Sequence, residues 1–231
     1  MSTAQTLLLG AVAGCTIFIG LPVARLRTVT PSMRAMLAAT ATGILLFLFW
    51  DVLTHAVEPV EEALTAGQDG RFLWLAALLA VVAQIALGGW VSANYAALAC
   101  PDLPGCLGQA VPKMNFADAF HVLRELGRTG DGGLLPLDAL VAIHWTHRMF
   151  AIVAFCAVGL AAWKALRSDG LRFAGTLLFA LLGLQVGLGI ANVAFSLPLP
   201  LAAAHNAGAA LLLAAVVMLN FFAFRGLRPS R

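Results

Sequence analysis

Residues 173–224 read FAGTLLFALLGLQVGLGIANVAFSLPLPLAAAHNAGAALLLAAVVMLNFFAF, 52 positions without a single Asp, Glu, Lys or Arg. About 20 apolar residues of helix cross a bilayer core, so this stretch is long enough for two crossings. Its break is Ser196-Leu197-Pro198-Leu199-Pro200, where two prolines withhold backbone donors and bias the residues before them out of the helical region. The reading is two membrane helices joined by a tight turn. The rest of the chain agrees. Of 231 residues, 61% are apolar and 11% charged, whereas water-soluble domains carry about 25% charged residues, which excludes a soluble enzyme.

Working outward, six segments are long and apolar enough to span: about 4–24, 35–56, 72–93, 139–163, 173–195 and 201–224. In lipid only helices and closed barrels satisfy the backbone, and none of the six shows the alternation of barrel strands. The expected fold is an all-α integral membrane protein of about six transmembrane helices, the last four forming a four-helix bundle. The first span lacks a basic n-region and an A-x-A site, so it is expected to stay in the membrane rather than be cleaved as a signal peptide. The net charge of +3 is what cytoplasmic flanks supply and gives no reason to expect nucleic acid.

The connections divide the chain into two regions. With the N-terminus outside, the inner loops hold Arg25, Arg27, Arg34, Lys113, Arg124 and Arg128, and the outer side holds Arg71, Lys164, Arg167, Arg172, Arg225, Arg228 and Arg231. Basic residues should favour the inside, yet the count is level. The first two helices want residues 25–34 inside; the last four want 164–172 and the tail inside, with opposite parity. A two-helix N-terminal region (1–66) joined to a four-helix domain (67–231) accounts for this. The long connection 94–138, rich in Gly and Pro, is of the length that usually carries function.

The four-helix region contains an echo. Gln84-Ile85-Ala86-Leu87-Gly88 is repeated as Gln185-Val186-Gly187-Leu188-Gly189, each followed by an Asn (Asn94, Asn192) near the helix end and then by a histidine-bearing helix. Close packing of small residues explains the glycines equally well. His144 and His147 lie one turn apart on one face, with Arg148 adjacent. His205 lies in a helix of the same direction. At about 1.5 Å per residue, His147 and His205 fall within roughly 12 Å of the same surface. A membrane histidine often serves only as a helix-to-helix hydrogen bonder. Three at one depth beside an arginine suit ligation of haem iron by two imidazoles across a four-helix bundle. Arg148 would meet a haem propionate or snorkel to headgroups. A bare metal ion is less suited, because thiolates and carboxylates are missing from these spans. Cys100 and Cys106, in Ala99-Cys100-Pro101-Asp102-Leu103-Pro104-Gly105-Cys106, bracket a bent loop able to close a disulfide on the non-cytoplasmic side. Cys15 and Cys156 are expected to be small packing residues within their spans.

These residues resemble the haem A synthase family, membrane enzymes that oxidise a methyl group of haem O to the formyl group of haem A for cytochrome oxidase. The matching stretches are Gln84 through Asp102, Ile143 through Arg148, Leu188-Gly189-Ile190-Ala191-Asn192, and Leu197-Pro198-Leu199-Pro200 leading to Ala204-His205-Asn206-Ala207-Gly208. They cover about residues 72–224 and look like the second half of the family's eight-helix, two-half architecture. The resemblance implies haem b as cofactor, His147 and His205 as ligands of haem iron, His144 and Arg148 beside it, and a Cys100–Cys106 pair in the loop. It implies haem O as substrate and a bacterial-type inner (plasma) membrane. The family's first half, with its own histidine pair and a carboxylate one turn before the first, has no match ahead of residue 72, and His144 stands at the carboxylate's corresponding position. No catalytic residue is therefore assigned, and a homo-oligomer of two four-helix units would recreate the two-half arrangement.

Residues 1–66 resemble the first two helices of ZIP metal transporters through Gly10-Ala11-Val12-Ala13-Gly14, Leu21-Pro22, the basic loop 25–34 and the segment 41–51. Asp51, His55, Glu58 and Glu62 fall at helical spacing. The alternative function this raises is a truncated divalent metal transporter, or an inactive fusion.

Overall fold

The computed structural model describes Met33 and residues 69–121 and 125–226. The chain divides into two units, Met1–His55 and Ala56–Arg231, and the helices described here belong to the second. The spans expected at 4–24 and 35–56, with Cys15 and the Asp51 to Glu62 face, lie outside the described residues.

Among the described residues five helices come in order: α1 (Asp69–Ala93), α2 (Phe116–Ala119), α3 (Leu137–Leu166), α4 (Arg172–Ala194) and α5 (Leu199–Gly226). Four of them are long and apolar enough to cross a membrane, over Phe72–Ala93, Leu137–Leu166, Arg172–Ala194 and Leu199–Ala223, matching the last four spans read from the sequence. This is an all-α integral membrane protein. The helices close into a ring in which α1 packs on α3, α3 on α4, α4 on α5 and α5 back on α1; α3 and α5 are thus diagonal, as are α1 and α4.

The turns follow from local sequence. Between α3 and α4, Gly170 takes φ +79°, a left-handed conformation that costs glycine least. Between α4 and α5, Ser196 and Leu197 hold φ 58° and 60°, the Leu197 amide bonds back to the Asn192 carbonyl at 2.7 Å, and Pro198 comes next, so the expected turn is where the prolines place it.

Small residues set how closely the helices approach. A Cβ on Gly175 would stand 2.8 Å from both the Ala162 carbonyl oxygen and the Leu166 amide, so α4 lies against the α3 backbone only because that position is glycine. One end of the bundle is a dry core of Trp74, Val81, Val158, Leu178, Leu182, Val216 and Leu219 with interleaved alanines. Asn220 is buried there, its Nδ2 donating to the Trp74 carbonyl at 3.1 Å and to the Val216 carbonyl at 2.9 Å, which ties α5 to α1. At the other end Val91, Ala96, Ala119, Leu135, Ala139, Ala142 and Ile143 form a second core beneath the long connection.

That connection is folded onto the bundle. Asn94 is buried: its Nδ2 donates to the Trp90 carbonyl at 2.9 Å, and its Oδ1 accepts from the Gly127 amide at 3.2 Å. The Trp90 indole donates to the Ala119 carbonyl at 3.0 Å, and Asn115 caps α2. Cys156, expected as a packing residue, is instead a free and exposed thiol on α3. Apolar composition does not separate the inward from the lipid-facing side of a membrane helix, since lipid is as apolar as the core.

Candidate functional site

Between the two cores runs a layer of different character. No residue is buried in 82–90 of α1, 145–153 of α3, 183–191 of α4 or 201–207 of α5. In a closed four-helix ring the inward positions at such a level would normally be filled by packed side chains. Here they are glutamine, glycine and histidine, and the level is open.

His147 on α3 and His205 on α5 occupy it from diagonal corners, near enough to interact electrostatically. Each ring rests where a neighbouring helix lacks a side chain: a Cβ on Gly88 would lie 3.2 Å from His147 Cε1, and one on Gly189 would lie 3.3 Å from His205 Cε1. Each also has a glutamine. Gln84 Nε2 stands 3.2 Å from His147 Nδ1 and 3.3 Å from its Nε2, and donates to the His147 carbonyl at 3.1 Å. Gln185 Nε2 stands 3.4 Å from His205 Nε2. The α1–α3 pair and the α4–α5 pair thus repeat one motif, and the Gln-x-x-x-Gly echo in the sequence is its trace.

His144, expected on one face with His147, and Arg148, expected at a propionate or the headgroups, bond to each other. His144 is buried, and its Nε2 accepts from Arg148 Nε at 3.2 Å. The Arg148 guanidinium turns to the cysteine loop: Nη1 donates to the carbonyls of Asp102 (2.8 Å) and Gly105 (2.7 Å), and Nη2 to that of Cys100 (2.6 Å). The loop is closed by a Cys100–Cys106 disulfide, as read from its spacing. Asp102 organises its far side, accepting from the amides of Leu107 at 2.6 Å and Gly108 at 2.7 Å. The Gly108 amide, joined by that of Leu107 and the Arg148 charge, holds the Asp102 carboxyl below its ordinary range. Nothing in the sequence pairs Arg148 with three carbonyls, which carry no side-chain signature. Gln84, Gln185, Gly88 and Gly189 are visible in the sequence as an echo, but one that packing explains equally well.

The arrangement defines an integral membrane helical bundle with paired histidines at an open level of its core and a disulfide-closed loop over one end. The chain belongs to the COX15-CtaA family, described as cytochrome oxidase assembly protein, which it matches over residues 4–217. It is similar to proteins described as heme A synthase: that of Shewanella oneidensis, 43% identical over 158 residues, covering 68% of this chain and 48% of that protein; that of a Caulobacter species, 32% identical over 207 residues, covering 87% and 55%; and that of Bradyrhizobium diazoefficiens, 30% identical over 182 residues, covering 76% and 47%. The chain spans about half the length of the curated relatives it matches. No solved structure matches it significantly. The family match begins ahead of residue 72, where the motif resemblance starts, and runs through the helices likened to ZIP transporters; the metal-transporter alternative is not favoured by these matches.

Proposed function

We propose that this protein is a haem A synthase-type membrane oxidoreductase that binds haem b between His147 and His205 and serves the oxidation of the haem O methyl group to formyl, in haem A supply for cytochrome oxidase. The observation that carries this reading is the open level itself. Two imidazoles come within electrostatic reach of each other from diagonal helices, glycines stand where side chains would otherwise fill the space, and Gln84 Oε1, Gln185 Oε1 and His205 Nδ1 are buried without partners. A flat, apolar ligand with an axial metal fits that donor set; among the described residues no group of three or more His, Cys, Asp or Glu offers a cage for a bare ion.

When bound, haem supplies one-electron chemistry at the bundle core. The chain's own residues do the rest. His147 and His205 would hold the iron, and the apolar cores at the two ends of the bundle exclude water. Arg148 spends four of its five N–H groups on His144 and the loop carbonyls, leaving one to meet a propionate, and His144 steadies it there. The disulfide belongs on the non-cytoplasmic face of a bacterial-type inner membrane. A homo-oligomer would bring two four-helix units together around haem O.

The test is spectroscopic. The purified protein in detergent should show a Soret band of bis-histidine haem, and His147→Ala and His205→Ala should each abolish it. A wild-type protein that binds no haem would sink the proposal. Mass analysis of pigment extracted from cells supplied with haem O then tests for haem A.

A further inference from the structure

The two glutamines have no place in the expectation drawn from sequence, yet they match in position, although Gln84 reaches both ring nitrogens and the carbonyl of His147 while Gln185 reaches only Nε2 of His205. Gln84 and Gln185 sit on diagonal helices, each four residues before the glycine that makes room for a histidine ring, and each with its amide against that ring. Each amide oxygen is buried with no partner. The fit at Gln185 is tight on its far side as well, since a Cβ on Gly208 would strike Gln185 Oε1. Two buried, unpartnered carbonyl oxygens at matching places call for an explanation, because such a group costs on the order of 1–3 kcal/mol.

We propose that Gln84 and Gln185 are positioning residues for iron ligation, each accepting the N–H of its histidine's second ring nitrogen and so fixing the tautomer and donor strength of His147 and His205. This deepens the haem reading above and rests on it. An imidazole that gives one nitrogen to iron carries its proton on the other, and that N–H requires an acceptor when buried. A half-turn of each amide places Oε1 where Nε2 now stands, 3.2 Å from His147 Nδ1 and 3.4 Å from His205 Nε2. At Gln84 the turn gives up the 3.1 Å bond to the His147 carbonyl, and because two acceptors repel at that distance the amide must swing off that carbonyl toward the ring as it turns. An acceptor on the outer nitrogen pushes electron density toward the metal and favours the ferric state, which lowers the reduction potential.

The experiment measures the haem midpoint potential of the full chain, loaded with haem b in detergent, for wild type, Gln84→Leu, Gln185→Leu, Gln84→Glu and Gln185→Glu, with the bis-histidine low-spin signature checked in each. Removing the acceptor should raise the potential, and a carboxylate in its place should lower it. Haem release should quicken roughly 10- to 100-fold in the Leu variants, the usual cost of losing a partner of a metal-bound histidine. Opposite shifts support the proposal when the low-spin ferric g-values, which report imidazole donor strength, move with them; opposite shifts with unmoved g-values overturn it, because a carboxylate lowers and an apolar side chain raises a nearby haem's potential through space alone. Unchanged potentials, or shifts of the same sign, overturn it. Where a Leu variant retains no haem, the isosteric Glu variant decides alone: an unlowered potential overturns the assignment. A wild type without a Soret band fails the haem reading instead, and the two failures are therefore distinct.

Discussion

Replacing Arg148 by lysine should release the disulfide loop. The guanidinium makes three bonds of 2.6–2.8 Å to the carbonyls of Cys100, Asp102 and Gly105 and one of 3.2 Å to His144. Bonds to charged groups contribute roughly 1.5–3 kcal/mol each, and the half-buried site argues for the lower end of that range. A lysine ammonium on a flexible stem reaches one carbonyl but not the planar fork of three. Two carbonyl bonds lost at about 1.5 kcal/mol each make loop opening easier by about 3 kcal/mol, or roughly 100-fold at about 1.4 kcal/mol per tenfold. The assay is the rate at which a dithiol reductant opens Cys100–Cys106 in folded, detergent-solubilised protein, read by mass tagging of the released thiols. Circular dichroism confirms that helix content is retained. Arg148→Lys should accelerate opening by about two orders of magnitude over wild type, and Arg148→Met, which loses all three carbonyl bonds, by about three. A change of less than threefold in both would refute the reasoning, and would mean that the loop is held by the packing of Val141 and Trp145 beneath it rather than by the fork.

Three further outcomes are expected. Gly88→Ala and Gly189→Ala should each press a methyl against a histidine ring at 3.2–3.3 Å and lower haem retention about fivefold, for an overpacking cost of about 1 kcal/mol; Gly89→Ala and Gly187→Ala, with nothing within 4 Å, should not, and equal effects at all four positions would dismiss the cradle. Gly175→Ala should destabilise the bundle by roughly 1–3 kcal/mol, seen as a lower melting temperature in detergent, because its methyl would meet the α3 backbone at 2.8 Å. Asp102 predicts a pH response. Its pKa is depressed in the folded loop by the Gly108 and Leu107 amides and by Arg148. Its contribution is therefore fully present above the ordinary value of 3.8 and is lost as pH falls through the lower folded value. Reduction by a phosphine should accelerate across that acid window in wild type and show no such step in Asp102→Asn.

The membrane architecture was legible because charge is absent over whole spans and the prolines at 198 and 200 mark the turn. The opposed histidines were legible because two helices separated by one run in the same direction, so a depth can be counted from each start. What resisted reading was orientation around the helix axis. His144 and His147 are about 60° apart at 100° per residue, close enough to be taken as one face, yet far enough for one to meet Arg148 and the other Gln84. Cys156 resisted for a related reason, since in lipid both sides of the helix are apolar. The bonds of Arg148 to the loop carbonyls could not be foreseen because backbone acceptors are the same at every residue. The charges of the loops suggest a boundary near residue 66, whereas the family match runs across it, over residues 4–217.

The Asn220 amide joins the fourth helix of the ring to the first, through the Trp74 carbonyl. That bond connects residues 146 positions apart, so it cannot form until α5 has been synthesised and released sideways into lipid. Until then the ring is open between α1 and α4, and the histidine on α3 has no partner across the bundle. The pairing of His147 with His205 across the bundle is accordingly completed only after α5 inserts. The ribosome will have finished the three earlier spans of the bundle before those two histidines can meet.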